Sequence, residues 1–274
     1  MGNFKLIALD MDGTLNNSEG VITPKTVNAL INAQKEGATV VLASGRPAPG
    51  LNAEAKELHM KDYHGLLLSY NGGKVIDMTT GNVLLEKALP NSLAKKLLRH
   101  IEQFDVSPIV DDGKHLVTNN PNGFQVQHEA KGNKLEIVHV ENICDACDFN
   151  PAKILIASPE EKLKPIADQI IQPFKEELSF IFSTRFYLEA TMKGIDKASS
   201  LQMICERLNI TADEVIAFGD AENDISMLQF AGCGVAMGNA RTAVKDIADE
   251  VTLSNNEDGI AYTLSKYFNT IEWK

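Results

Sequence analysis

The chain has 274 residues, with 26 Lys and Arg against 37 Asp and Glu, for a formal charge of −11. At about 150 residues per domain this length predicts roughly two domains, and 44% hydrophobic residues with 19 Gly and 10 Pro speak against a largely disordered or collagen-like chain. The acidic balance speaks against a polyanion partner, because nucleic acid and anionic lipid are held by clustered Lys and Arg; any phosphate the protein handles is expected to be small.

The first residues, MGNFKLIALDMDG, carry only a short apolar run that ends in Asp10 and Asp12, which is neither a secretory h-region nor a transit peptide. Gly2 invites N-myristoylation, but Leu6 stands where Ser or Thr is required. Phe4 to Leu9 reads as a strand, Pro24 to Glu36 as a helix and Thr39 to Ala43 as a strand, the grammar of a βαβ unit. Thr23 is the expected helix N-cap, Pro24 takes the first helical position, Val27, Leu30 and Ile31 share a face, and Gly37 ends the helix. Gly65 to Ser69 is a further strand, closed by the turn sequence Asn71-Gly72-Gly73.

The pattern then changes to helices at Ser92 to Phe104 and Glu160 to Phe174 with hairpin-like strands at Ser107 to Val110, His115 to Thr118, Ile154 to Ser158 and Ser179 to Phe182. The last third returns to the opening grammar: helix Ala198 to Leu208, strand Val215 to Phe218, helix Asp224 to Phe230, and strands at Gly234 to Met237 and Glu250 to Leu253. An α/β fold is expected, a parallel sheet with helices on both faces, interrupted by an inserted α+β unit. The expected domains are 1–83 with 189–274, and 84–188, the chain crossing near Asn82 to Pro90 and Thr184 to Thr191. No run approaches the ~20 apolar residues of a membrane span, so no membrane partner is expected. Four Cys in a chain this long are no disulfide framework, which predicts a reducing cytoplasm; Cys144 and Cys147 form a lone Cys-x-x-Cys, read as structural or incidental, and Cys205 and Cys233 as small core residues.

The first strand ends in Asp10-Met11-Asp12-Gly13-Thr14-Leu15, and side chains two apart on an extended chain point the same way. In an open α/β sheet such a pair lies beyond the carboxyl ends of the strands, where ligands bind. Carboxylates held close repel unless a cation lies between them, and a hard ion such as Mg²⁺ suits oxygen donors. An EF-hand is excluded, since Thr14 and Leu15 occupy positions that need Asp or Asn and then Gly.

Gly219-Asp220-Ala221-Glu222-Asn223-Asp224 also follows a strand and opens a helix. If the two strands are neighbours, Asp10, Asp220 and Asp224 can converge on one ion; taken alone, the segment reads equally as a helix start with Asp224 as N-cap. Ser44-Gly45-Arg46 follows a third strand, where a hydroxyl and backbone N–H groups can hold a phosphoryl oxygen. Lys197, at the start of a helix, can offset negative charge around a carboxylate nucleophile and a phosphate.

In this order, Asp10-Met11-Asp12-Gly13-Thr14, Ser44-Gly45-Arg46, Lys197 and Gly219-Asp220 to Asn223-Asp224 resemble the four motifs of the haloacid dehalogenase superfamily. Ser69-Tyr70-Asn71-Gly72-Gly73, Lys193-Gly194-Ile195-Asp196-Lys197 and Gly234-Val235-Ala236-Met237-Gly238-Asn239-Ala240 resemble its Cof-type phosphatases more closely. The resemblance spans almost the whole chain and implies a Rossmann-like parallel-sheet core with an inserted α+β cap that sets specificity. It further implies that Asp10 is the nucleophile and Asp12 the general acid and then base. Mg²⁺ would be held by the Asp10 carboxylate, the Asp12 backbone carbonyl and Asp220, with Asp224 close by through water. Ser44 and Lys197 would bind the phosphoryl group, Asn71 and Asn223 would position it, and Gly45 and Gly72 complete the substrate-binding set.

One departure is that Ala198, not Gly, follows Lys197, whereas Gly194 follows Lys193, which keeps Lys193 as an alternative. The expected activity is Mg²⁺-dependent hydrolysis of small phosphorylated metabolites (sugar phosphates, nucleotides or phosphorylated cofactors) through an aspartyl-phosphate, by a cytoplasmic monomer or small homo-oligomer. A phosphomutase, or a metal-dependent phospho-ligand-binding regulator without turnover, are the competing readings.

Overall fold

The computed structural model describes residues 4–273; Gly2 and the outermost ends of the expected domains lie outside them. In chain order the strands begin with β1 (Leu6–Leu9), β2 (Thr39–Ala43), β3 (Leu66–Ser69), β4 (Lys74–Asp77) and β5 (Val83–Glu86). They continue with β6 (Ser107–Asp111), β7 (His115–Thr118), β8 (Glu136–His139), β9 (Ile154–Ala157), β10 (Leu178–Thr184) and β11 (Tyr187–Met192). The last three are β12 (Val215–Gly219), β13 (Cys233–Ala236) and β14 (Glu250–Val251).

Two compact units result. The described residues up to Arg46, Leu51–Leu85 and Asp196 onward make the first; Pro47–Gly50 with Glu86–Ile195 make the second. The first unit's sheet has the order β14-β13-β12-β1-β2-β3-β4-β5, parallel from β14 to β3 and antiparallel between β3 and β4. Its central strands are apolar on both faces, as a helix-covered parallel sheet requires: Leu6, Ile7, Ala8 and Leu9 are all at 0% exposure, as are Val215 to Phe218. β1 pairs with both β2 and β12, Leu9 opposite Leu42 and Phe218, so the residues after all three strands emerge side by side at one sheet edge. The expected helix after β1 runs Pro24–Lys35; the Thr23 hydroxyl caps Thr26 N–H and also donates to Asp258, and Gly37 takes the left-handed φ of 101° that ends it.

The second unit holds a six-stranded sheet, β10-β11-β9-β6-β7-β8, mixed because β7 and β8 run parallel. Along β9, Ile154 and Ile156 pack with Leu97, Leu98 and Ile101 of helix Asn91–Ile101 and with Leu163 and Ile170 of helix Glu160–Ile171. Leu155 and Ala157 turn the other way, onto Val126 and Ala130 of helix Val126–Asn133.

The return crossing corrects the expected one. A boundary at 188/189 would cut β11, which pairs with both β10 and β9; the units divide instead between Ile195 and Asp196. Glu189, inside that strand, is buried and its charge meets Lys153 at 3.1 Å, with Leu188 and Ala190 packed on the opposite face. The outgoing crossing falls two residues late, between Leu85 and Glu86. Helices Asn52–Glu57, Val126–Asn133 and Gly259–Leu264 and strands β4, β5 and β8 were not anticipated, being short or weakly periodic. Cys144 and Cys147 are free and buried; burial beside Glu102 pushes the Cys144 thiol up to about 11, and burial raises Cys147 too, which fits a packing role.

Phe218 lies wholly buried in β12. Phe218→Ala is expected to lower unfolding free energy by about 3–5 kcal/mol, read as a lower denaturant midpoint at unchanged m-value.

Candidate active site

The loop after β1 turns back on itself, with Thr14 and Asn16 N–H donating to the Met11 carbonyl and Leu15 N–H to the Asp10 carbonyl. Gly13 takes a φ of +89°, and a Cβ there would lie 2.5 Å from Asp220 Oδ2, so the loop backbone runs directly against that carboxylate. Thr14 Oγ1 donates to Asp220 Oδ1 at 2.8 Å and ties the first loop to the one after β12. Asn239 Nδ2 donates to the Gly13 carbonyl at 2.7 Å.

After β12, Asp224 does not cap the helix that follows, Ile225–Phe230. Its Oδ2 reaches back to accept the Asp220 and Ala221 N–H groups, both at 3.0 Å. Gly219 makes room for this, since a Cβ there would meet the Asp224 side chain at 2.5 Å. Lys197 begins helix Lys197–Leu208, N-capped by Asp196 through Ser199 N–H at 2.8 Å. Its side chain is fully buried, and Nζ donates to Asp10 Oδ1 and Asp224 Oδ1, each at 2.6 Å. Lys193, the alternative, is exposed and belongs to the second unit.

Asp10, Asp220 and Asp224 present oxygens within 4.8 Å of one another, and one ammonium serves the group. Burial is the main reason the Asp10 carboxyl is pushed up to about 7; Lys197 pulls it down, while Asp224 and Asp220 push it further up. Asp220 is raised for the same reasons, against the Thr14 hydrogen bond. Burial works against the charge of Lys197, but Asp10 and Asp224 outweigh it and hold the ammonium protonated. Among the described residues no protein donor engages the second oxygen of Asp10 or of Asp220. Hard oxygen donors, surplus negative charge and two unengaged oxygens together fit a divalent cation.

The remaining candidates gather after β2 and β3. Ser44 is buried, and its Oγ accepts the Arg46 N–H at 3.2 Å, which leaves its own O–H to donate. The Ser44 carbonyl accepts Asn71 N–H at 2.8 Å. Tyr70 and Asn71 both adopt left-handed conformations (φ 54° and 53°), and Asn223 Nδ2 donates to Asn71 Oδ1 at 3.3 Å. A Cβ on Gly45 would crowd Asn71 Nδ2 at 3.0 Å. Gly72 serves packing: a Cβ would meet the Asp196 carbonyl at 2.4 Å, and its own carbonyl accepts from Ser200 Oγ at 2.8 Å, so the turn sits on the start of the Lys197 helix. The Asp12 carboxylate stands outside the cluster, 61% exposed, and is held by Arg46 at 2.9 and 2.5 Å. Thr14 and Arg46 were both inside recognised motifs without a part assigned to them; only the partners they reach across the fold reveal one.

A family profile described as haloacid dehalogenase-like hydrolase matches residues 7–264. A 5-amino-6-(5-phospho-D-ribitylamino)uracil phosphatase of Bacillus subtilis, YcsE, is 31% identical over 263 residues, covering 94% of each chain. The crystal structure of a haloacid dehalogenase-like hydrolase from Bacteroides thetaiotaomicron superposes with a TM-score of 0.92 at 39% identity, over 97% of this chain and all of the other. The HAD subclass IIB sugar phosphatase BT4131 superposes with a TM-score of 0.78 at 26% identity, over 96% and 98%.

Because native Asp10 keeps its proton to about pH 7 while the unfolded carboxyl loses it near 3.8, its contribution to stability in chelator is full at low pH and lost as pH rises through that window. Urea unfolding in EDTA at pH 5 and pH 8 is expected to show this loss, and Asp10→Asn to abolish it. Added divalent cation is expected to raise the wild-type Tm, most at high pH, and to do so far less in Asp10→Asn.

Proposed function

From the premise that the chain belongs to the haloacid dehalogenase-like hydrolase family and is one of its phosphatases, we propose that it hydrolyses small phosphomonoesters through an aspartyl-phosphate on Asp10. The observation that carries this reading is the buried Lys197 ammonium, bonded to both Asp10 and Asp224 at 2.6 Å. It holds Asp10 in one rotamer and places positive charge where a phosphoryl group would arrive.

In the first step an Asp10 oxygen bonds to phosphorus and the bond to the leaving oxygen breaks, with Asp12 giving that oxygen its proton. In the second, water attacks phosphorus, its proton passes to Asp12, and inorganic phosphate leaves as the Asp10 carboxylate is restored. A carboxylate approaching a phosphate dianion meets like-charge repulsion, which Lys197 relieves, while the Ser44 hydroxyl and the Gly45 backbone hold phosphoryl oxygens. Asn71 and Asn223, bonded to each other, fix the approach. Asp10, Asp220, the Asp12 carbonyl and, through water, Asp224 would hold Mg²⁺, which when bound supplies further charge to the transferring group. The substrate class is sugar phosphates, nucleotides or phosphorylated cofactors, a range that spans what the relatives' names describe, and the inserted unit is the specificity domain.

Phosphate release from a panel of phosphorylated metabolites, with Mg²⁺ or with EDTA, tests the reading. Metal-dependent turnover is expected, lost in Asp10→Asn and in Lys197→Ala by at least about 10³-fold and retained in Lys193→Ala. Loss in Lys193→Ala with retention in Lys197→Ala overturns the lysine assignment. Transfer between sugars without net release, dependent on a bisphosphate, would mean a mutase instead.

A further inference from the structure

Asp10, Asp220 and Asp224 are each held by the protein: Asp10 and Asp224 by buried Lys197, Asp224 also by two backbone N–H groups, Asp220 by Thr14. Asp12 is different. It sits in the loop after β1 with its side chain 61% exposed, yet it is the group assigned to move a proton at a fixed point. An exposed Asp side chain samples several rotamers unless something restrains it, and a carboxyl displaced by about 1 Å from its proton acceptor loses much of its catalytic effect.

Arg46 supplies the restraint. Its Nε donates to Asp12 Oδ2 at 2.9 Å and its Nη2 to Oδ1 at 2.5 Å, a two-point contact that fixes the plane of the carboxylate as well as its position. The arm itself has a fixed root: the Arg46 N–H is bonded to Ser44 Oγ, and its carbonyl accepts the Tyr70 N–H at 3.2 Å. β1 and β2 are paired neighbours in parallel register, so the clamp spans two adjacent strand ends and couples the proton-transfer loop to the loop that carries Ser44. An ion pair this exposed adds little to stability, so its geometric quality points to orientation.

We propose that Arg46 is a positioning residue for leaving-group protonation: it holds the Asp12 carboxyl in the orientation from which its proton reaches the departing oxygen. The inference rests on the acid and base role given to Asp12 above. A lysine cannot replace the arm fully, because an ammonium offers a point charge and no planar fork.

Leaving-group chemistry separates this role from phosphate binding. An alkoxide departs only with a proton, whereas p-nitrophenolate departs without one, and kcat/KM reports events up to that departure. Both substrates are to be assayed with the full-length Mg²⁺-loaded protein and its Arg46→Ala, Arg46→Lys and Asp12→Asn variants, taking as alkyl ester the best sugar phosphate of the panel. Arg46→Ala is expected to lower kcat/KM for the alkyl ester about 10²-fold and for p-nitrophenyl phosphate less than about 10-fold, with Arg46→Lys between Arg46→Ala and the wild type. Competitive inhibition by inorganic phosphate is expected to stay within about threefold of the wild type, and Tm within about 3 °C. Equal losses on both substrates with weakened phosphate inhibition overturn the proposal and make Arg46 a phosphate ligand; equal losses with a large fall in Tm overturn it in favour of a structural role. If Asp12→Asn itself shows no selective loss on the alkyl ester, the acid role of Asp12 fails, a result independent of how Arg46→Ala behaves.

Discussion

The site depends on one ammonium group taken out of water. Lys197 is wholly buried, an arrangement that is unfavourable for a lone charge by several kcal/mol and tolerable only because two carboxylates sit at 2.6 Å. The bargain is incomplete from the acids' side. Among the described residues a single ammonium, that of Lys197, is bonded into the group Asp10, Asp220 and Asp224, and burial with mutual repulsion leaves Asp10 pushed up to about 7. A site built this way is short of positive charge by design of its residues. A hard cation bound there would relieve the deficit and favour the ionised form of Asp10.

Close backbone approach lets so many groups meet in so little space. Gly13 lies against Asp220, Gly219 against Asp224, and Gly72 against the start of the Lys197 helix; at each, a Cβ would come within 2.4–2.5 Å of a neighbour. These glycines have separate parts: the first brings the loops after β1 and β12 together, the second lets Asp224 fold back within its own loop, and the third seats the turn carrying Asn71 on the helix that delivers Lys197. The parallel sheet makes the plan possible. Strands β12, β1, β2 and β3 lie side by side and point the same way, so loops from distant stretches of sequence end at one edge.

Within that frame the four aspartates are held by different means. Asp224 is locked by backbone N–H groups, Asp10 by the lysine, Asp220 by a threonine hydroxyl, and Asp12 by an arginine at the protein surface. The four run from the buried pair bonded to Lys197 to the largely exposed Asp12.

Residue order alone determined the architecture and the identity of most of the gathered groups. Apolar runs of strand length, a capped helix starting at Pro24 and acidic or hydroxyl residues after three such runs, two early in the chain and one late, pointed to a parallel sheet with its polar ends together, because side-chain period is a local property. The part of Lys197 was legible only as a place in a motif order; its burial and its two partners are contacts 187 and 27 residues apart. What tertiary structure decided follows the same logic. The boundary expected at 188/189 moved to 195/196, because Tyr187–Met192 pairs with β9 and β10 and Glu189 is buried there against Lys153, which immediately precedes β9. Asp224 reads as a helix cap until its carboxylate is seen to turn back. Arg46 reads as the third letter of a turn until it meets Asp12, 34 residues earlier. Local sequence specifies conformation and periodicity, but the energy of a buried or clamped charge belongs to its partner, and the partner is known only once the chain has folded.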